Sequence, residues 1–442
     1  MRISECKRSP WPWSANLCAA NFGGGAQEDR RASAEAEFRI VASPQWRDGR
    51  FRNRQPLWMS RVKAVASLFS RDPNHAPTAP VPIFEGTAGE LAKPVDGDLR
   101  ATWLGHSTVF LEVEGQCILI DPVWAKRASP VSFTGPRRWY RPPLPLDAVP
   151  ALDAVLITHD HYDHLDRGAV VALAGRTKRF IVPLGVGARL RAWGVPEARI
   201  TELDWWETVR LGRLNITATP ARHAGGRGVL DRDATLWSGY VVAGVARRVY
   251  CSGDTGMMEA FDEIGARLGP FDLTLMEIGA YSQSWPDWHM GPEQAVEAHR
   301  RVGGRVMLPV HWGLFSLSTH AWTEPIERAA VAAREKGVVL ATPRPGESIS
   351  PAVSRPRIGA RWWPSIPWRA ADRYPIVSTR DGRPAGDPSG RERKTVDASK
   401  LEALRRELID RAYEHDRRGE PAAADLASMV SARLDELIAG GE

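Results

Sequence analysis

The segment His159-Asp160-His161-Tyr162-Asp163-His164 is the most informative part of this sequence for its fold. It directly follows residues 152–158, an apolar run typical of a buried strand. Two histidines at positions i and i+2 point the same way only in extended or loop backbone, because on a helix they would face about 200° apart. The cluster therefore lies at the carboxyl end of a strand, which is a common position for ligand-binding side chains in folds that mix helices and strands.

The cluster supplies four potential metal ligands within six residues, namely His159, His161, Asp163 and His164. Imidazole nitrogens and carboxylate oxygens are ligand types that divalent zinc, manganese and iron accept. A polar surface loop is the alternative interpretation. Three histidines and an aspartate directly after an apolar strand favour the metal site.

Three further residues each end an apolar, strand-like run elsewhere in the chain: His223, Asp254 and His311. Taken alone, a histidine after a strand is more often structural than a metal ligand. A dinuclear hydrolase needs a carboxylate between its two metals and additional imidazoles. Together with the six-residue cluster, these three residues therefore indicate a site for two metals.

The wider pattern combines short strands with helices. Strands are predicted at residues 101–104, 109–113, 117–120, 154–157, 179–182, 215–219, 240–242, 248–251, 273–277 and 306–309. Helices are predicted at residues 168–174, 186–193, 259–268, 292–302 and 324–336. Because many strands occur in adjacent pairs, the pattern favours a four-layer αββα sandwich of the α+β class over a doubly wound sheet.

Composition divides the 442 residues into four regions. Residues 1–35 lack periodicity, which predicts a disordered tail or an over-long predicted start. Residues 36–350 form the sandwich with an irregular N-terminal arm, in which residues 61–69 are amphipathic. Residues 351–393 are an Arg/Trp/Pro-rich linker. Residues 394–442 predict a helical hairpin that either docks on the domain or mediates a homodimer.

The charge and cysteine content narrow the class of protein. A formal net charge of +6 is mildly basic and suits anionic partners such as phosphates or a membrane surface. No dense Lys/Arg block accompanies a nucleic-acid reader motif, so no nucleic-acid partner is predicted.

The four cysteines lack C-x-x-C spacing, and no apolar run reaches the roughly 18 residues of a spanning helix. We expect a cytoplasmic protein that contacts membranes at most peripherally.

The complete ligand pattern resembles the metallo-β-lactamase superfamily. Flanking motifs narrow the resemblance to the N-acyl-phosphatidylethanolamine phospholipase D branch: W-L-G-H-S-T at 103–108, D-P at 121–122, R-A-S-P at 127–130, G-P-R-R at 135–138, E-I-G-A-Y at 277–281, His289 before P-E at 292–293, and H-W-G at 311–313. The resemblance covers about residues 36 to 350.

The resemblance implies two zinc ions, with manganese or iron as alternatives. It divides the seven candidate ligands into two sets joined by a shared carboxylate: His159, His161 and His223; Asp163, His164 and His311; and Asp254 between them. A metal-bridging hydroxide would attack the phosphorus of N-acyl-phosphatidylethanolamine or a related phosphodiester. Asp163 and Asp254 are therefore candidate catalytic residues as well as ligands.

Four other residues are candidates for different roles at the site. His289 is a candidate catalytic residue that would protonate a leaving group or hold a phosphate oxygen, unless it is a surface histidine. For His106, hydrogen bonding to a ligand is favoured over direct ligation. His320 is a candidate pocket residue, and Tyr162 suits packing and chemistry equally.

Three further features leave the roles of their residues open. Asp160 stands where this branch often carries Asn, so it would add a negative charge beside the metals. Arg137 and Arg138 would face a phosphate or, more commonly for such a pair, only solvent. Three tryptophans among arginines would either contact lipid headgroups or seal the C-terminal segment onto the domain: Trp362, Trp363 and Trp368.

Two other functions compete with a phosphodiesterase. A lactonase of the ascorbate-6-phosphate lactonase type would use the same metal-bound hydroxide on a carbonyl group. A non-enzymatic binding protein that retained the fold is disfavoured, because such proteins usually lose ligands and all seven are present here.

Overall fold

The computed structural model describes residues 35–60, 72–228, 231–351, 358–383 and 406–410. The predicted tail before residue 35, the amphipathic stretch at residues 61–69 and nearly all of the predicted hairpin at residues 394–442 lie outside these ranges. Residues 35–42 and 406–410 are helical.

Sixteen strands are present within the described residues. In chain order they are β1 Trp46–Arg47, β2 Arg50–Phe51, β3 Leu99–Gly105, β4 Thr108–Val113, β5 Gln116–Ile120, β6 Leu152–Leu156, β7 Thr177–Pro183, β8 Ile200–Leu203, β9 Thr208–Leu211, β10 Leu214–Thr219, β11 Gly239–Ala243, β12 Arg248–Cys251, β13 Phe271–Glu277, β14 Gly304–Val310, β15 Val339–Leu340 and β16 Ser348–Ile349. The helices used below are α1 Thr87–Leu91, α2 Arg167–Leu173, α3 Gly187–Ala192, α4 Ala260–Leu268, α5 Pro292–Arg301 and α6 Glu324–Lys336.

Two seven-stranded mixed sheets form the centre of the molecule. Their strand orders are β16-β3-β4-β5-β6-β7-β8 and β15-β14-β13-β12-β11-β10-β9. In the first sheet the pairs from β5 to β8 are parallel, and in the second sheet the pairs from β12 to β15 are parallel. The remaining pairs within both sheets are antiparallel.

Side chains on the two faces of the first sheet belong to two different buried layers. Val109 and Leu111 of β4 belong to the main core cluster, which also contains residues of the second sheet, whereas Phe110 belongs to a separate cluster. That second cluster includes Val170 of α2 and Leu190 of α3. Because successive side chains of a strand point to opposite faces, one face of this sheet packs against the other sheet and the other face packs against helices.

On the second sheet, α5 lies against β13 and β14, with α4 and α6 beside it. Helices therefore cover the sheets on the outside, and the predicted αββα sandwich is confirmed.

Short edge strands account for most of what the pattern missed. The strands β8, β9, β15 and β16 were not predicted, and all four lie at or next to the end of a sheet. They are only two to four residues long, which is too short for a periodic pattern to stand out. The α6 helix agrees with its predicted bounds.

Residues 358–383, which we call the strap, are the described part of the predicted linker. Trp363 and Ile376 are buried, and the Trp362 ring stacks on Trp312 with centroids 5.3 Å apart. Arg361 forms an ion pair with Glu327 of α6. These contacts favour the interpretation in which the tryptophans seal this segment onto the domain. Within the described ranges, no helix is long and apolar enough to cross a membrane.

Candidate metal centre

The histidine-rich loop directly follows β6, as predicted. The backbone N–H groups of His164 and Leu165 both donate to the carbonyl of His161, at 3.1 and 2.8 Å, which turns the loop back on itself. His159 and His164 are fully buried, with 1% and 0% of their surface exposed. The loop therefore buries His159 and His164 and leaves His161, Tyr162 and Asp163 partly exposed.

One group of three imidazoles gathers around His161. Its Nδ1 lies 2.9 Å from Nε2 of His159 and 3.2 Å from Nε2 of His223. One nitrogen of each ring lies within 4.8 Å of the others. The structure thus brings together the three histidines that the sequence assigned to one metal.

A second group gathers around the Asp163 carboxylate. Its Oδ2 lies 3.2 Å from Nε2 of His311 and 3.4 Å from Nε2 of His164. The same oxygen lies 2.9 Å from Nε2 of His106, so His106 contacts a candidate ligand through a hydrogen bond. These are the residues that the sequence assigned to the second metal.

Asp254 lies between the two groups. Its Oδ2 is 3.0 Å from Nε2 of His311 and 3.2 Å from Nε2 of His164. The same oxygen is 3.8 Å from Nε2 of both His159 and His223. One carboxylate oxygen thus reaches imidazoles of both groups, which is the arrangement expected of a ligand shared by two cations.

Electrostatics separates the buried imidazoles into two kinds. Burial lowers the pKa of His311, but Asp254 and Asp163 outweigh it and raise that pKa to about 10. The pKa of His164 is raised well above its usual range, because Asp254, Asp163 and Asp121 together outweigh its burial. Burial lowers the pKa of His223 to about 3. The carboxylates thus favour the charged forms of His164 and His311, whereas burial favours the neutral form of His223, which is the form that binds a cation.

These residues fit divalent cations. Buried nitrogen and oxygen atoms need partners, yet among the described residues Nε2 of His164 and Oδ1 of Asp254 are buried and make no hydrogen bond of normal geometry. Both atoms belong to the ligand types that zinc and similar ions bind. The buried carboxylates raise the pKa of His164 and His311, so the cluster favours positive charge, which bound cations would supply.

Asp121 supports the site and was not predicted as a site residue. Its Oδ2 lies 2.8 Å from Nδ1 of His164 and accepts a hydrogen bond from the hydroxyl of Thr158, while its Oδ1 accepts from the backbone N–H of Thr158. A carboxylate on the far nitrogen of a ligating histidine fixes the orientation of the ring. The D-P motif directly after a predicted strand is the signal that pointed to this residue.

Glu277 and His289 form a second supporting pair. Nδ1 of His289 lies 2.8 Å from Oε2 of Glu277, and Oε1 of Glu277 accepts hydrogen bonds from the backbone of Thr255 and Met290. Burial, reinforced by Asp254, raises the pKa of Glu277 well above its usual range. His289 therefore lies at the cluster, as predicted, and Glu277 at the end of β13 was missed.

Strained backbone marks the same region. The residues His106, Asp121 and His311 have φ angles of 52°, 42° and 62°. Residues other than glycine seldom adopt this left-handed conformation, and such strain concentrates at functional sites. Sequence patterns gave no signal for it.

Asp160 does not face the metal groups in the way expected from the sequence. Its Oδ1 accepts from the backbone N–H of Gly226, and its Oδ2 accepts from Nε of Arg189, both at 2.6 Å. Burial raises the pKa of Asp160, but Arg189 outweighs it and lowers that pKa overall. The extra charge is therefore balanced by Arg189, and Asp160 fastens the loop around residue 226 to α3.

Two other predicted residues lie at the rim of the site. The guanidinium of Arg227 lies 3.8 Å from the ring centroid of Tyr162, so Tyr162 packs against a cation. His320 stacks on Tyr281 with centroids 4.6 Å apart and lines the same pocket as His311.

The N-terminal arm, residues 35–60, holds His223 in place. The side-chain amide of Asn53 donates to the carbonyl of His223 at 2.7 Å, and its oxygen accepts from the N–H of the same residue at 3.0 Å. Trp237 also donates to that oxygen through Nε1, at 3.2 Å. Asn53 thus satisfies both backbone groups of a candidate ligand, and no sequence signal pointed to it.

A buried ion pair links the arm, the strap and two ligand-bearing loops. Nη1 of Arg222 lies 3.0 Å from Oδ1 of Asp287, and both side chains are almost fully buried. Arg222 donates to the carbonyls of Pro56 in the arm and Thr379 in the strap. Asp287 accepts from the N–H of Trp58 and of Thr379. The pair therefore fixes the segments next to His223 and His289.

Two groups of buried histidines joined by one carboxylate, at the edge of an αββα sandwich, define the class of metal-dependent hydrolases. Residues 116–312 match a family described as the beta-lactamase superfamily domain. An uncharacterized protein of Mycobacterium tuberculosis is 46% identical over 345 residues, which are 74% of this chain and 90% of that protein.

Two further relatives carry names. The N-acyl-phosphatidylethanolamine-hydrolyzing phospholipase D 1 of Caenorhabditis elegans is 40% identical over 261 residues, 56% of this chain and 73% of that protein. A metal-dependent hydrolase of Pyrobaculum aerophilum is 31% identical over 251 residues, 55% of this chain and 99% of that protein. The chain therefore belongs to the β-lactamase superfamily as a metal-dependent hydrolase, and within it resembles the branch of the nematode protein.

Proposed function

We propose that this protein is a phosphodiesterase of phospholipase D type that hydrolyses N-acyl-phosphatidylethanolamine or a related phosphodiester. The observation that carries the proposal is the position of Asp254, whose Oδ2 reaches imidazoles of both histidine groups. The name of the nematode relative supports the choice of substrate.

The proposed site holds two divalent cations. His159, His161 and His223 would hold one, Asp163, His164 and His311 the other, and Asp254 would contact both. When bound, such cations neutralise phosphoryl oxygens and make a water molecule acidic enough to act as a nucleophile near neutral pH. Asp121 keeps Nε2 of His164 directed at the site by holding its Nδ1.

We assign His289 the role of donating a proton or a hydrogen bond as the leaving group departs. Glu277 holds Nδ1 of His289, which fixes the ring and assigns the chemistry to Nε2. A proton at Nε2 would pass to the leaving-group oxygen, or the same N–H would bond a phosphoryl oxygen before the P–O bond breaks. Glu277, whose pKa is raised by burial, is suited to share a proton with Nδ1.

Aromatic side chains form the walls beside His311. The pocket beside it is lined by four large aromatic residues and His320: Trp139, Trp312, Phe315 and Trp322. Apolar walls around a few polar groups are typical of sites for amphiphilic ligands. The space that these walls enclose is only about 20 Å³, room for about one water molecule, so the choice of a lipid over a sugar lactone rests on the name of the nematode relative.

Zinc-loaded protein should release phosphatidic acid and an N-acylethanolamine from N-acyl-phosphatidylethanolamine presented in detergent micelles. Both products would be followed by mass spectrometry, with a sugar-phosphate lactone assayed in parallel. A suitable control is Glu85→Gln, which removes an exposed charge far along the chain from the ligands and should leave the rate unchanged. If the protein opens the lactone and releases no phosphatidic acid, the phosphodiesterase proposal is wrong and the protein is a lactonase.

A further inference from the structure

A second cavity adjoins the pocket beside His311. It has a volume of about 390 Å³ and shares three lining residues with that pocket: His75, Trp139 and Ser316. Its other walls come from residues 76–80 and from Pro136, Arg137 and Arg138 of the G-P-R-R motif. The two spaces are therefore neighbours, one at the candidate metal centre and the other beside a pair of arginines.

Arg138 brings a half-buried cation to this cavity. Its Nε and Nη2 donate to the carbonyls of Ala125 and Val123, at 3.2 and 2.5 Å, which fixes the guanidinium group. Within the part of the chain that the structure describes, Arg138 forms no ion pair. Burial lowers the pKa of Arg138, and the opposing effects of Tyr140 and Asp166 offset it only in part. A fixed guanidinium without a counter-ion attracts an anion.

Arg137 adds a second cation that is exposed at the mouth of the cavity. None of the residues known to line the cavity is acidic, so the only carboxylate that acts on Arg138, Asp166, does so from outside this lining. The nearby Arg141 differs, because it is paired with Glu85 and does not line the cavity. The pair is thus more than an ordinary arrangement of solvated arginines.

Side-chain contacts connect Arg138 with the candidate metal centre. Its guanidinium carbon lies 5.8 Å from the ring centroid of Phe315. The Phe315 ring meets the His106 ring edge-on at 5.3 Å, and the His106 and His311 rings are 4.2 Å apart. An anion at the arginines would therefore be separated from the ligand His311 by two aromatic side chains, Phe315 and His106.

We propose that the Arg137–Arg138 cavity binds a phosphomonoester, and that it receives the phosphomonoester product of the hydrolysis; the product role rests on the proposed function. Cleavage of a phosphodiester turns a group with one negative charge into one with nearly two at neutral pH, since the second phosphate pKa is about 6. Guanidinium groups pair with such an anion through parallel hydrogen bonds. The gain in charge would favour transfer from the metals to the arginines.

Metal-free protein, prepared with a chelator, tests the cavity without any contribution from metals. Calorimetric titration with inorganic phosphate and with glycerol 3-phosphate should show saturable binding, and dimethyl phosphate should bind much more weakly. Arg137→Gln should weaken phosphate binding about tenfold, as expected for loss of a charge-assisted hydrogen bond. The matched control Arg141→Gln should leave it unchanged.

Arg138→Lys should retain more of the binding than Arg138→Gln, and circular dichroism would show that each variant folds. Equal affinities in the parent protein and in Arg137→Gln and Arg138→Gln, or no saturable binding, would overturn the proposal. Retention on phosphatidate vesicles but not on phosphatidylcholine vesicles would identify the lipid as the source of the phosphate. Phosphate binding in a protein that does not cleave N-acyl-phosphatidylethanolamine would retain the cavity and reject only the proposed function.

Discussion

Asp254 shows most directly how one residue joins two sites. It follows β12, and its Oδ2 lies within 3.8 Å of four imidazole nitrogens from three different loops. The sequence suggested it from its position after an apolar run. The structure adds that Oδ1 is buried without a hydrogen bond, which leaves it ready for a cation.

We expect Asp254→Asn to lower hydrolysis by about 100- to 1,000-fold or more, because it removes a charge that acts at the reacting centre. Metal analysis of the purified variant should also show less than the parent content. The control Asp153→Asn changes a carboxylate on the outer side of β6 that pairs with Lys178 and should behave as the parent. Parent-like metal content and rate in Asp254→Asn would show that Asp254 is not a shared ligand.

Asn53 acts on the candidate metal centre through the backbone of His223. We expect Asn53→Ala to weaken one of two bound metals about 10- to 100-fold, the usual effect of removing a group that orients a ligand. Competition with a metal indicator should then report one tight and one weak site in place of two tight sites.

The control for Asn53 is Gln55→Ala, on the same arm, because Gln55 bonds the backbone of Glu259 rather than a ligand. It should keep two tight sites. Two tight sites in Asn53→Ala as well would mean that the fold holds His223 without the arm.

His299 of α5 links acidity to stability away from the candidate ligands. Burial lowers its pKa from 6.5 to about 4, so the unfolded chain binds more protons than the folded chain between these two pH values. Stability is therefore lost as the pH falls through this window. Between pH 7 and pH 5, His299 alone should cost about 2 kcal/mol.

His299→Gln can still hydrogen-bond Thr274, which His299 contacts at 2.7 Å. In urea unfolding of metal-free protein, this variant should lose about 2 kcal/mol less than the parent between pH 7 and pH 5. At pH 7 and pH 8 the difference between the two proteins should be constant, since both imidazole states are then neutral. Equal losses of unfolding free energy in the parent and in His299→Gln between pH 7 and pH 5 would show that His299 is not responsible for the pH dependence.

At the scale of elements, the sandwich alone does not hold the site. The loops that carry His223 and His289 are fastened by the arm and the strap through Arg222 and Asp287. Both segments lie outside residues 116–312, the range that matches the superfamily domain. The arm and the strap are therefore structural parts of the candidate active unit.

We expect Asp287→Asn to lower the free energy of unfolding by about 3 kcal/mol or more, because Arg222 would remain buried without its partner. Chemical unfolding measures this directly. The control is Glu263→Gln, which removes an exposed carboxylate paired with Arg54 and Arg267 and should cost less than about 1 kcal/mol. A similar small loss in Asp287→Asn would show that the pair is not a structural link.

At the scale of the whole molecule, charge is distributed unevenly around the candidate active unit. The ligand groups contain buried carboxylates, whereas the neighbouring cavity carries two arginines and no acidic lining residue among those described. Metals would make the first region favourable for an anionic substrate, and the second region favours anions without metals. The metal-bound centre and the arginine cavity would thus both favour anions, the first as substrate and the second as product.

Much of this arrangement was predictable from the sequence, because most of the candidate ligands are marked by patterns among their immediate neighbours in the chain. His159, His161, Asp163 and His164 share one loop, and His223, Asp254 and His311 each end a run whose period is that of a strand. Their assignment to one site rests on the resemblance to the metallo-β-lactamase superfamily, because periodicity alone does not show which strand ends meet. The same periodicity determined ten strands and five helices.

Only the tertiary structure decided which groups complete the site. Asn53 and Asp287 act on His223 and its neighbours across 170 and 65 residues of chain, and Asp160 turned to Arg189 rather than to the metals. These contacts depend on packing between distant segments, for which hydrophobic periodicity carries no signal. The six-residue cluster by itself indicated a metal, and His223, Asp254 and His311 extended it to two, whereas the geometry of the site, its charge balance and the arginine cavity beside it arose only when distant loops met.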